Sequence, residues 1–91
     1  MKNMIYEFLQ YSKDIQSKTD SVLLHYKYDL LNFRKRLMYK HNKIEINVEE
    51  IEFKDCLLWI EYYKKVRNAS KNTLSNIETS NRQFFKYCAS I

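Results

Sequence analysis

The chain contains no glycine and no proline among its 91 residues. At average usage a chain of this length holds about six Gly and four or five Pro. Phosphate-binding loops, dinucleotide fingerprints and tight hairpins need the left-handed backbone positions that glycine adopts without strain. The absence of glycine therefore disfavours nucleotide-binding α/β folds and multi-hairpin β folds. The chain is therefore predicted to be almost entirely helical.

Long apolar runs and local cysteine pairs are also lacking. The longest apolar run is the five residues that begin at Cys56, far short of the roughly 20 that cross a bilayer. Glu7 interrupts any signal-peptide pattern at the amino terminus. The histidines, His25 and His41, and the cysteines, Cys56 and Cys88, have none of the local spacings of a zinc site. We expect the cysteines to be small core residues in a cytoplasmic protein.

The charge is positive and unevenly distributed. The chain has a net charge of +5, and residues 1–43 carry nine Lys or Arg against four Asp or Glu, whereas residues 44–91 carry seven of each. A basic half on a domain of pI 9.2 indicates a polyanion partner, usually nucleic acid. The alternative interpretation is a lysine-rich surface that is only solvated.

With 45% hydrophobic residues the chain is apolar enough to fold as one domain. Apolar spacing predicts four helices, over about residues 2–15, 20–40, 50–66 and 70–89. The first has one apolar stripe, of Ile5, Phe8, Leu9 and Ile15. The second has two stripes and is therefore expected to be central: Leu23, Tyr26, Leu30, Phe33 and Leu37 form one, and Leu24, Leu31 and Met38 form the other.

The start of the third helix has two interpretations. Asn47 and Glu50 resemble a capping box, which would start the helix at Val48. Alternatively, residues 48–51 form a single turn and the main helix starts near Phe53. In either case, one apolar face is expected from Cys56, Leu57, Ile60 and Tyr63.

The fourth helix has the clearest start, with Ser70 as its N-cap. Its apolar face is formed by Leu74, Ile77, Phe84, Cys88 and Ile91. Its opposite face carries amides, hydroxyls and cations without a carboxylate: Asn72, Ser75, Asn76, Thr79, Gln83 and Lys86, with Arg82 at its edge. Such a face can approach phosphates and base edges without repulsion.

Three stretches carry a family resemblance when they are taken together. They are Tyr26-x-x-Asp29-Leu30-x-x-Phe33, then Ile51-x-x-x-Asp55-Cys56-x-x-Trp59-Ile60, and finally Ser70-x-x-Thr73-Leu74 followed by Arg82-x-Phe84-Phe85-x-Tyr87. In this order and spacing they resemble the N-terminal core-binding domain of tyrosine recombinases, the phage-integrase family. The chain departs from the family pattern at Val22, Glu52, Glu78 and Asn81.

The resemblance implies a four-helix, SAM-like orthogonal bundle that forms one half of a clamp on duplex DNA. In the family the second and fourth helices face the major groove, and a separate C-terminal domain carries the Arg, His-x-x-Arg and Tyr that perform DNA strand transfer. None of that set is present here, so residues 1–91 are expected to be a non-enzymatic fragment of a longer recombinase. The expected partners are double-stranded DNA and other recombinase subunits, with no membrane, metal, cofactor or small-molecule substrate.

The resemblance also implies which residues contact DNA. At the start of the second helix they are Lys18, Thr19, Ser21 and His25, and in the fourth helix they are Ser70, Lys71, Asn72, Thr73, Asn76 and Lys86. The lysines among them would contact phosphates, and Asn72 and Asn76 would face base edges. For Lys27 and residues 34–36, a solvated basic face is an equal alternative.

Two other functions are compatible with the sequence. One is a stand-alone DNA-binding regulator, such as a small helix-turn-helix protein that binds paired half-sites as a dimer. The other is a helical protein-interaction module that self-associates through Ile5, Phe8 and Leu9 and does not bind DNA.

Overall fold

A computed structural model describes residues 1–90, which form four α-helices and no strand. The helices are α1 (Lys2–Asp14), α2 (Asp20–His41), α3 (Phe53–Lys65) and α4 (Lys71–Ser90), with a 3₁₀ turn at Val48–Glu50. The prediction of an all-α, four-helix chain is confirmed. Ile91 lies outside the described residues. None of the helices in residues 1–90 combines the length and hydrophobicity that a bilayer span needs.

Polar residues replace glycine where the first three helices end. Ser17, Asn42 and Asn68 adopt φ values of 53°, 52° and 49°, in the left-handed region. Asn is one of the few residues other than glycine that enters this region routinely, because its short side chain bonds locally. The absence of glycine therefore did not remove left-handed positions from the chain.

The connection from α2 to α3 decides between the two interpretations of the third helix. Asn47 makes no capping hydrogen bond, and the main helix starts at Phe53, so the expected start near residue 50 is wrong and the single-turn interpretation is confirmed. The carboxylate of Asp55 accepts hydrogen bonds from the Glu52 backbone N–H (2.9 Å) and from Lys40 Nζ (2.6 Å). This buried carboxylate thus caps α3 and ties it to the end of α2.

A continuous series of aromatic contacts joins the four helices. Phe8 of α1 meets Phe84 of α4 with ring centroids 5.6 Å apart, and Phe84 meets Phe85 at 5.3 Å. Phe85 contacts Phe33 of α2 at 6.4 Å, and Phe33 contacts Trp59 of α3 at 5.7 Å. These separations are within the range in which aromatic pairs stabilise one another beyond their area burial. Both α2 and α4 contact all three other helices: α2, which we expected to be central, packs chiefly on α1 and α4 and reaches α3 through Phe33–Trp59 and Lys40–Asp55.

Three residues expected on buried faces are instead exposed. Ile15, Leu24 and Leu57 are 69%, 50% and 48% exposed, respectively. Trp59 of α3 is buried, at 5% exposure. Apolar residues lie on several sides of α3, so the spacing of its apolar residues does not identify one buried face. The buried face is identified by the contact of Trp59 with Phe33.

Asn81 of α4 is a buried polar residue. Its side chain is 4% exposed, and neither amide atom has a hydrogen-bond partner. An unsatisfied buried polar group costs about 1–3 kcal/mol. Asn81 is therefore a local weakness in the packing of α4 against α3.

We expect Asp55→Asn to lower the free energy of unfolding at neutral pH by about 1–2 kcal/mol, because it removes the charge that pairs with Lys40. Burial opposes the charged form of Asp55, but the hydrogen bonds from Lys40 and the Glu52 backbone outweigh it and lower the pKa below 3.8. A carboxyl group whose pKa is lower in the folded state than in the unfolded state stabilises the fold at pH values above its unfolded-state pKa. This stabilisation is lost as the pH falls through the folded-state pKa.

Urea unfolding at neutral pH and near pH 3 measures this effect. The difference between Asp55→Asn and the wild type should shrink in acid, and a difference that is constant with pH would contradict the role given to the carboxylate. Glu61→Gln is the matched control, since it removes only an exposed pair with Lys65 and should change stability by less than about 0.5 kcal/mol.

Candidate nucleic-acid interface

Three of the residues expected to contact DNA meet in one depression between α2 and α4. Lys18, which precedes α2, and His25, on its second turn, lie opposite Asn76 of α4. The depression has a volume of about 210 Å³ and is completed by Val22, Tyr26, Thr79 and Ser80. Residues separated by most of the sequence are therefore brought together on one surface.

Ser80, which lines this depression, connects it to the carboxylate of Asp29 on α2. Ser80 Oγ lies 3.0 Å from Asp29 Oδ2 and 2.9 Å from the carbonyl oxygen of Asn76. Burial raises the pKa of Asp29, while the hydrogen bond from Ser80 and the nearby His25 act in the opposite direction. The Asp29–Ser80 contact holds the third turn of α2 against the middle of α4, one turn after His25 and one turn after Asn76.

Two of the expected DNA-contacting residues, Thr19 and Ser70, use their side chains to cap helices. Thr19 Oγ1 accepts a hydrogen bond from the Val22 N–H at 3.4 Å. Ser70 Oγ accepts from the Thr73 N–H at 3.2 Å and lies 3.1 Å from Thr73 Oγ1. The predicted N-cap of the fourth helix is confirmed. These hydroxyls hold the first turns of α2 and α4, where unpaired backbone N–H groups favour an anion.

The other expected residues on α4 extend the polar surface along the helix. Lys71 and Asn72 are exposed on its first turn, and Asn72 is one turn, about 6 Å, from Asn76. Lys86 lies apart, about 15 Å along the helix from Asn76, in a shallow depression that also contains Gln83 and Gln16. We call the surface made by Lys18, His25, Asn72, Asn76 and Thr79 the α2–α4 face; Ser21 is exposed on the first turn of α2, beside it.

Among residues 1–90, a minority of the lysines and arginines are paired with a carboxylate. Arg34, Lys40, Lys43, Lys54 and Lys65 each have a carboxylate within ion-pair distance. Within residues 1–90, Lys18, Lys71 and Lys86 have none. The three lysines expected to contact phosphates therefore keep their charge uncompensated, whereas Arg34 is compensated by Glu45 at 3.2 Å.

In residues 1–90, no group of three or more His, Cys, Asp or Glu side chains is arranged so that it could hold a metal ion. Cys56 and Cys88 are half-buried, unpaired thiols packed against the core. Burial, together with the neighbouring Asp55, raises the pKa of Cys56 to about 11, so this thiol stays protonated and unreactive at neutral pH.

A second surface lies between α2 and α3 and was not predicted from the sequence. Tyr39 of α2 is 82% exposed there, beside Arg36, Trp59 and Tyr62. The sequence signal was the alternation of aromatic and basic residues from Arg36 to Lys40 and from Trp59 to Arg67. It could not be assigned to one surface before the face of α3 that contacts α2 was known.

Comparison of the chain with protein-family models, curated proteins and solved structures finds no match.

We expect Asp29→Asn to raise the free energy of unfolding at neutral pH, because the amide keeps an acceptor for Ser80 and removes a partly buried charge. A carboxyl group whose pKa is higher in the folded state than in the unfolded state destabilises the fold at pH values above its folded-state pKa. This destabilisation disappears when the pH falls below the unfolded-state pKa. The advantage of the variant, measured by urea unfolding, should therefore be present at pH 7 and absent near pH 3. A variant that is less stable than the wild type at pH 7 would contradict the assignment.

Proposed function

We propose that this chain is a DNA-binding domain of a site-specific tyrosine recombinase, in which the α2–α4 face grips duplex DNA as one half of a clamp. The observation that carries the proposal is the meeting of Lys18, His25 and Asn76 in one depression between the two helices. The order of the sequence motifs supports the same assignment. The SAM-like orthogonal arrangement of the helices is part of this proposal.

Phosphate contact comes from the uncompensated lysines. Lys18 and Lys71 stand next to the amino-terminal turns of α2 and α4, where the helix dipole and free backbone N–H groups add to their attraction for a phosphate. Lys86 extends the contact toward the end of α1. Each lysine that meets a phosphate releases counterions, so affinity depends steeply on salt.

Sequence readout comes from the amides of α4. Asn72 and Asn76 are both exposed and occupy successive turns of one helical side. An Asn amide presents a donor and an acceptor that match N6 and N7 of adenine in the major groove. Thr79 lies one further turn along and offers a hydroxyl or a methyl contact.

The chemistry belongs to a further domain in this proposal. The parent protein transfers DNA strands, assembles with other recombinase subunits on its site, and carries the Arg, His-x-x-Arg and Tyr set that these 91 residues lack. The coding sequence that follows Ile91 tests this part directly. An open frame that encodes this set supports the recombinase, and an immediate stop codon would leave the stand-alone regulator.

Self-association through the first helix is disfavoured by the packing. Ile5 and Phe8 are 0% exposed and belong to the core of the bundle. They are not available to a second copy unless α1 detaches.

We expect Lys18→Ala to weaken binding to duplex DNA of any sequence and to reduce the slope of log K against log salt by about one unit, because one phosphate contact is lost. Lys64→Ala is the control, since Lys64 is an equally charged, exposed residue on α3 with no carboxylate partner among residues 1–90. Fluorescence anisotropy across a salt series measures both. Equal slopes for the wild type and Lys18→Ala would remove Lys18 from the interface.

We expect Asn76→Ala to lose discrimination of about 1–3 kcal/mol at one base pair of a duplex selected from a random pool. Affinity for random duplex should change little, because the amide contacts no phosphate in this proposal. The matched control is Asn3→Ala, at an exposed amide on α1. Equal losses on selected and random duplexes would contradict base readout by Asn76.

A further inference from the structure

The second surface of the molecule is a groove between the C-terminal half of α2 and α3. It consists of two adjoining depressions of about 440 and 570 Å³, which share Arg36, Tyr39, Trp59 and Tyr62. We call it the α2–α3 groove. It does not include any residue of the α2–α4 face, and the proposal on DNA binding does not use it.

One half of the groove is cationic and lacks a counter-charge. Lys35, Arg36 and Arg67 line it, and in the described part of the chain none of them has a carboxylate partner. The guanidinium of Arg36 lies 5.0 Å from the ring centroid of Tyr62, and that of Arg67 lies 5.9 Å from the ring centroid of Tyr63. A cation–π contact favours this position of a guanidinium and leaves N–H groups available for an anion.

The carboxylates of the groove do not neutralise this half. Asp55 is paired with Lys40 at 2.6 Å, and Glu61 is paired with Lys65 at 3.5 Å. Both carboxylates and both lysines line the same depression, so together they contribute no net charge. The charge of the whole groove is therefore that of Lys35, Arg36 and Arg67.

The other half of the groove is apolar and exposed. Leu58, Val66 and Tyr39 are 51%, 68% and 82% exposed, respectively, and all three line the same depression. Exposed aliphatic side chains that are contiguous with an aromatic one are typical of an interaction site rather than of scattered surface residues. At the junction of the two halves, the Trp59 indole N–H is buried and has no hydrogen-bond acceptor.

We propose that the α2–α3 groove binds an acidic peptide segment of a partner protein, with carboxylates on Lys35, Arg36 and Arg67 and aliphatic or aromatic side chains on Leu58, Val66 and Tyr39. A peptide matches both halves because it can alternate carboxylate and apolar side chains. A phosphodiester chain would satisfy the cations but leave Leu58 and Val66 uncovered. The same groove on a second copy of this chain would offer these cations no free carboxylate, because its Asp55 and Glu61 are already paired with Lys40 and Lys65.

A displayed library of random short peptides, selected on the 91-residue chain, tests the chemistry of the occupant. The expected result is enrichment of sequences that combine Asp or Glu with Leu, Ile or Phe. A parallel selection on the Lys35→Gln/Leu58→Ser double variant should not enrich them. Enrichment of peptides without acidic residues, identical enrichment on the double variant, or no enrichment at all would each overturn the proposal.

An enriched peptide is then titrated against the labelled protein by NMR. The chain has one tryptophan, so its single indole N–H resonance reports on the groove and should shift in proportion to binding. Leu58→Ser and Lys35→Gln should each weaken the peptide about tenfold, as expected for an interface residue that contributes to binding. Two matched controls, Leu24→Ser and Lys13→Gln, should have the wild-type affinity, because Leu24 is 50% exposed and Lys13 is exposed, both outside the groove.

The alternatives give different results in the same titration. If a single-stranded oligonucleotide moves the Trp59 indole resonance and the peptide does not, the groove is a nucleic-acid site and the proposal fails. If the resonance moves with protein concentration alone, the groove pairs with a second copy and the proposal also fails. Failure of the α2–α4 face to bind DNA leaves every one of these readouts unchanged.

Discussion

The series of ring contacts that runs through the core is the constraint on which both surfaces depend. Phe8 and Phe84 join α1 to α4, and Phe33 joins α2 to α4 through Phe85 and to α3 through Trp59. Aromatic rings bury large areas with few rotatable bonds, so their contacts define helix positions closely. In a chain without glycine or proline to shape its turns, these contacts determine where each helix lies.

One helix contributes to both surfaces at opposite ends. The 22 residues of α2 span about 33 Å. Its first turns bring His25 to the α2–α4 face, and its last turns bring Arg36 and Tyr39 to the α2–α3 groove. A carboxylate helps to hold α2 at two places: the partly buried Asp29 contacts Ser80 of α4, and Lys40 near the end of α2 contacts the buried Asp55 of α3. The opposite shifts of the two pKa values follow from their partners, since Asp55 has a lysine and Asp29 has only a hydroxyl and a more distant imidazole.

The number and order of the helices could be predicted from the sequence, because local signals define them. Thr19 and Ser70 precede helices that begin at the next residue, and their capping hydrogen bonds lie within the same turn. The start of α3 could not be decided in the same way. It depends on Asp55, whose partner Lys40 comes from another helix, and no local pattern reveals that pairing.

The sequence indicates which polar residues of the candidate interface are exposed, but it does not show that they lie together on one surface. An amphipathic pattern indicates that Asn76 faces outward, yet its position opposite Lys18 follows from the packing of α2 on α4. The α2–α3 groove was not predicted, because apolar residues on several sides of α3 gave no unique face. Only the packing of Trp59 against Phe33 shows that Leu57 is outside and that Arg36 and Tyr62 are neighbours.

The measurement that tests the account most directly is an NMR titration of the labelled 91-residue chain with duplex DNA at low salt. The account predicts that resonances of Lys18, His25, Asn72 and Asn76 move together, that the movement is reversed by added salt, and that the Trp59 indole resonance stays in place. Movement centred on Trp59 and Arg67, or no movement at low salt, would contradict the claim that the α2–α4 face is the DNA-binding surface.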